Sequence, residues 1–79
     1  MNKLEREIID TIAEEGGIDK DDIQPDSELY NLGIDSLSAL EIMAVLEDKF
    51  NIRISEHELK NIDRVSDIVR LVSSELDKK

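Results

Sequence analysis

Residues 32–50 read LGIDSLSALEIMAVLEDKF, and their spacing is that of an amphipathic helix. Asp35 and Ser36 suit a helix start, and from there to Phe50 the apolar residues recur at helical intervals. At about 100° per residue, Ala39, Ile42, Met43, Leu46 and Phe50 share roughly one third of the circumference. That stripe is what a bundle core requires. Leu37, Leu40 and Ala44 fall elsewhere, in the same arc as Glu41, Glu47 and Asp48. A mixture of apolar groups and carboxylates on an exposed face fits a docking surface; the alternative is contact with a neighbouring loop or short helix.

Working outward, Leu4, Ile8, Ile9 and Ile12 define an earlier amphipathic helix that stops at Gly16-Gly17. Residues 16–34 read as a long loop with isolated apolar residues at Ile18, Ile23, Leu29, Leu32 and Ile34. So long a loop in a small domain implies that these residues pin it to the core. Downstream, Ser55 and Glu58 have capping-box spacing and start a short third helix. A fourth helix is expected from an Asp63 cap, burying Val65, Ile68, Val69, Val72 and Leu76 along one stripe. No segment alternates as a strand should. The expectation is an all-α four-helix bundle, with three longer helices, a short third one and a long loop between the first two. It would fill residues 1–79 as one domain.

Composition narrows the function. Seventy-nine residues with twenty acids and ten bases carry a formal net charge of -10. The few bases are scattered, which argues against nucleic-acid binding and favours protein partners with basic patches. With no cysteine there is no disulfide, thiolate metal site or thiol nucleophile. No run approaches a membrane span or a signal-peptide core, so a cytoplasmic location without membrane insertion is expected. Intrinsic catalysis is not expected either. His57 has no evident partner and reads as a solvent-facing structural residue, and nothing supplies a triad around Ser36. The stretch from Asp19 to Tyr30 fails as a calcium loop, because Ile23 and Gln24 stand where a ligand and the turn glycine belong.

Ser36 has a distinctive position. The first N–H groups of a helix lack intrahelical partners and carry partial positive charge, so a phosphate ester there is stabilised. Asp35 adds a carboxylate suited to a divalent cation. Taken alone, Asp-Ser at a helix start is ordinary capping chemistry.

The string Leu32-Gly33-Ile34-Asp35-Ser36-Leu37, with Glu41 and then Leu46-Glu47-Asp48-Lys49-Phe50, resembles the acyl carrier protein family. Length, helix order and acidity agree with it across essentially the whole chain. The resemblance implies that Ser36 receives 4'-phosphopantetheine from coenzyme A through a Mg-dependent phosphopantetheinyl transferase. It implies that Asp35 helps hold that metal in the transferase complex, with no metal bound tightly by the carrier. Acyl groups would ride as thioesters on the arm's thiol. Leu37, Leu40, Glu41, Ala44, Glu47 and Asp48 would meet acyl-loading and acyl-processing enzymes with basic patches. Ile42, Met43, Leu46, Ile54, Leu59, Ile62 and Ile68 would line a shelter for the acyl chain. A monomeric carrier of fatty-acid, polyketide or related lipid biosynthesis is expected. The alternatives are an aminoacyl or peptidyl carrier and an unmodified acidic helical adaptor. Departures from the commonest pattern fall at Tyr30, Ser38, Ala44 and Arg53, and they bear on the partner set.

Overall fold

The structure is a computed structural model and describes residues 2–78. Its order is α1 (Lys3–Gly16), α2 (Ser36–Phe50), α3 (Glu56–Leu59) and α4 (Val65–Asp77), with two short 3-10 turns in the first loop. This is the expected all-α bundle of three long helices and one short one.

Each helix starts and stops for local reasons. Asn2 caps α1, its side chain accepting from Glu5 N at 2.8 Å while Glu5 reaches back to Asn2 N. Gly17 ends α1 in the left-handed region, at φ 64. Asn51 does the same for α2 at φ 54, a conformation asparagine tolerates better than most residues. Ser55 and Glu58 form the expected box at α3.

The start of α4 differs from expectation. Arg64, not Asp63, occupies the cap position, and it has no capping oxygen in its side chain. Asp67 replaces it from inside the first turn. Its Oδ2 accepts from Asp63 N at 3.0 Å and from Arg64 N at 2.9 Å. These bonds hold the Asp67 carboxyl below the usual aspartate range.

The core joins Ile8, Ile9 and Ile12 of α1 to Ile42, Met43 and Leu46 of α2 and to Val65, Ile68 and Val72 of α4. The first loop closes it from outside with Ile23, Leu29 and Ile34, all buried, so the apolar residues spaced along the loop do pin it. Thr11 is the one buried polar residue of this core among the described residues. Its hydroxyl donates to Glu7 O at 2.8 Å and accepts from Lys49 Nζ at 3.0 Å, tying α1 to the end of α2.

A backbone clamp joins the loop to α4. Leu29 N donates to Asp63 O, Val65 N to Ser27 O and Ser66 N to Pro25 O, at 2.8–3.0 Å. An isolated antiparallel bridge pairs Glu28 with Arg64, and Arg64 Nη1 donates to Asp26 O at 2.6 Å. Strand pairing this short has no alternating pattern to betray it.

Candidate functional site at the start of α2

The turn before α2 fixes where the helix begins. Asn31 N donates to Glu28 O, Leu32 N to Leu29 O, Gly33 N to Tyr30 O and Ile34 N to Leu29 O, at 3.0 Å. Gly33 sits at φ 82, where a side chain would be strained. Leu29 and Ile34 are buried on either side of the turn.

Asp35 then caps α2 in extended backbone, its Oδ1 accepting from Ser38 N at 2.8 Å. Its carbonyl accepts from Ala39 N at 2.9 Å. The Ser38 N–H, and behind it the Ser38 hydroxyl, hold the Asp35 carboxyl below its usual range, so it is ionised at neutral pH. One oxygen serves the helix; a carboxylate retains further acceptor capacity.

Ser36 is the first residue of α2 and is exposed. Its hydroxyl makes no hydrogen bond among the described residues. The position suits a phosphodiester: an accessible hydroxyl, positive helix-end potential and a neighbouring carboxylate whose charge is partly committed to the helix amide.

The docking candidates do not share one environment. Leu37 and Leu40 are 67% and 48% exposed, unusual for leucine. Glu41, Ala44 and Asp48 are also exposed. Glu47 is half-buried, and its Oε2 accepts from Ile54 N at 2.8 Å, fastening the α2–α3 connection. No sequence pattern separates Glu47 from Asp48 in this respect.

Ile42, Met43, Leu46 and Ile68 lie in the closed core, with Ile54 at its edge. Leu59 and Ile62 are half-buried around α3. Ile62 also borders an open groove of about 290 Å³ between α3 and α4, together with Glu58, Arg70 and Leu71. His57 is exposed on α3. In the acidic stretch after α1, Asp19 caps a turn by accepting from Asp21 N at 2.9 Å.

Charge is distributed unevenly. Eleven of the twenty acids and only one base, Lys20, lie between residues 14 and 48; elsewhere nine acids meet nine bases. The whole net charge therefore belongs to the first loop, α2 and the end of α1. A field of this kind orients positively charged surfaces toward that side.

The family described as phosphopantetheine attachment site matches residues 6–72. The acyl carrier protein of Acidothermus cellulolyticus is 38% identical over 69 residues, covering 86% of this chain and 79% of that protein. That of Helicobacter pylori is 36% identical over 70 residues, covering 87% and 90%. Among solved structures, the acyl carrier protein of Thermotoga maritima superposes with a TM-score of 0.87 at 26% identity, covering 96% of this chain and 89% of that one. Hexanoyl ACP from the actinorhodin polyketide synthase of Streptomyces coelicolor has the same fold, with a TM-score of 0.74 at 24% identity over 95% and 87% of the two chains.

Fold and match together define a carrier domain of the phosphopantetheine-bearing class. The chain belongs to the acyl carrier protein family. It carries acyl intermediates on a phosphopantetheine arm and works with a phosphopantetheinyl transferase and acyl-processing enzymes. No helix among the described residues is long and apolar enough to cross a membrane.

Proposed function

We propose that Ser36 is the attachment point of the arm and that the chain acts as a single-domain, monomeric, cytoplasmic carrier without catalysis of its own. The exposure of Ser36 as the first residue of α2, behind the Asp35 cap, carries this reading. In the transfer, Ser36 Oγ bonds to the phosphorus of the pantetheine arm as the pyrophosphate bond of coenzyme A breaks. Adenosine 3',5'-bisphosphate leaves, and the hydroxyl proton is released. Asp35, ionised and beside the hydroxyl, helps hold the transferase's magnesium. The arm supplies a terminal thiol for the acyl cargo.

Leu37, Leu40, Glu41, Ala44 and Asp48 form the surface that partners read, a mixed apolar and acidic face complementary to basic patches. Glu47 supports that surface from behind through Ile54. Ile42, Met43, Leu46, Ile54, Leu59, Ile62 and Ile68 surround the route by which an acyl chain would enter the bundle. The cargo belongs to fatty-acid or polyketide-type biosynthesis.

Incubation with coenzyme A, Mg²⁺ and a phosphopantetheinyl transferase tests the assignment by intact mass. One arm should add to the wild type and none to Ser36→Ala. An unmodified wild type, or a modified Ser36→Ala, would overturn it.

A further inference from the structure

Tyr30 is 86% exposed, the highest value of any large apolar side chain among the described residues. Its side chain makes no hydrogen bond there, so the fold gains nothing visible from the ring. Its backbone, by contrast, is held firmly. The turn closes through Gly33 N to Tyr30 O and Ile34 N to Leu29 O, both 3.0 Å. Asn31 Nδ2 donates to Glu28 Oε2 at 3.1 Å across the same turn, and the preceding residue, Leu29, is buried. An aromatic ring on a rigid backbone loses little entropy when a partner covers it.

Tyr30 is also close to the serine. The Ile34–Leu29 bond brings the two ends of the turn together, and each chain step spans about 3.8 Å. Tyr30 and Ser36 therefore lie within about 18 Å, Cα to Cα. Leu37 and Leu40 stand within about 6 Å of Ser36 along the helix axis. A standard interface covers roughly 800 Å² per partner, a patch about 30 Å across. A patch of that width, set between Tyr30 and α2 rather than centred on Ser36, is broad enough to reach Ser36, Leu37, Leu40 and Tyr30 together. The surrounding acids, including Glu28, Asp35 and Glu41, set the charge that its rim must complement.

We propose that Tyr30 is a specificity-determining contact for the enzyme that modifies Ser36, entering an apolar pocket rimmed by cationic side chains. This rests on the assignment of Ser36 as the attachment point. It extends the recognition surface off α2 and onto the preceding loop.

The test is steady-state kinetics of arm transfer by the phosphopantetheinyl transferase, with coenzyme A and Mg²⁺, on the wild type, Tyr30→Ala and Tyr30→Phe. Tyr30→Ala should raise KM for the carrier on the order of tenfold, as loss of an aromatic side chain held in a partner's pocket does, with kcat and melting temperature unchanged. Tyr30→Phe should stay within about twofold, because the ring makes the contact. A KM for Tyr30→Ala within about twofold of wild type overturns the role of Tyr30 while leaving Ser36 intact. So does a fall in kcat or melting temperature that accounts for the loss. Failure of the wild type to take up any arm overturns Ser36 itself, and this proposal with it.

Discussion

Glu47 and Asp48 are adjacent carboxylates at the end of α2, and replacing each with alanine should give very different proteins. Glu47 Oε2 accepts the Ile54 N–H at 2.8 Å, and Ile54 itself is buried at the edge of the core. A hydrogen bond to a charged acceptor is worth about 1.5–3 kcal/mol. Because Glu47 is only half-buried, the lower part of that range applies, about 1.5–2 kcal/mol. In a domain of this size each kcal/mol moves the melting temperature by about 4–8 °C. Glu47→Ala should therefore melt about 6–16 °C below the wild type. Asp48→Ala removes the same charge from an exposed site and should change stability by no more than about 0.5 kcal/mol. It thus controls for the relief of acidic self-repulsion. Circular dichroism melts at one pH and salt concentration make the comparison, and amide exchange at Ile54 localises it, since that proton should lose protection in Glu47→Ala. If the two variants melt within about 2 °C of each other, the Glu47–Ile54 bond does not hold the α2–α3 connection.

Leu46 is fully buried, so Leu46→Ala should cost on the order of 3 kcal/mol. Against a total near about 5 kcal/mol for so small a domain, urea titration should show a transition already beginning without denaturant. Asp35 should titrate in the folded protein below its ordinary value of 3.8, because the Ser38 N–H bonds its ionised form. Its contribution to stability is thus complete above that value and disappears as pH falls through the lowered one. An NMR titration should show the Ser38 amide shifting with the Asp35 carboxyl, a step absent from Asp35→Asn. Glu41→Lys should change stability by no more than about 0.5 kcal/mol while raising KM for the transferase. That penalty should shrink with added salt as screening shortens the field.

The helices are legible in the sequence because each has a local cause. The Ile8–Ile12 and Val65–Leu76 stripes, the Gly17 stop and the Ser55–Glu58 box all lie within a few residues of the ends and faces they control. The loop's pinning is legible too, since Ile23, Leu29 and Ile34 have no other reason to interrupt a polar run. The start of α4 departs from expectation because any Asp before a helix advertises a cap. Here the carboxylate that performs the task is Asp67, reaching back from the first turn. The clamp between residues 25–29 and 63–66 runs through backbone groups, which every residue possesses, so no side-chain pattern could announce it. Glu47 illustrates the same limit at the site. Helical phase assigns it to the arc of Asp48, while its actual partner is a backbone amide seven residues onward.

That clamp has a consequence for the order in which the molecule comes apart. It fastens the entrance of α4 directly to the first loop through bonds in which α3 takes no part. Between the Glu47–Ile54 bond and the clamp at residues 63–66, the chain spans a short arch anchored at both ends. Its helix has four residues and none fully buried. Few buried side chains between two fixed ends are the physical marks of a small foldon, so amide exchange should find this arch opening at lower free energy than the three long helices. The fastening of α4 to the loop thus leaves the hold on α4 outside the arch, in bonds that its opening would not break.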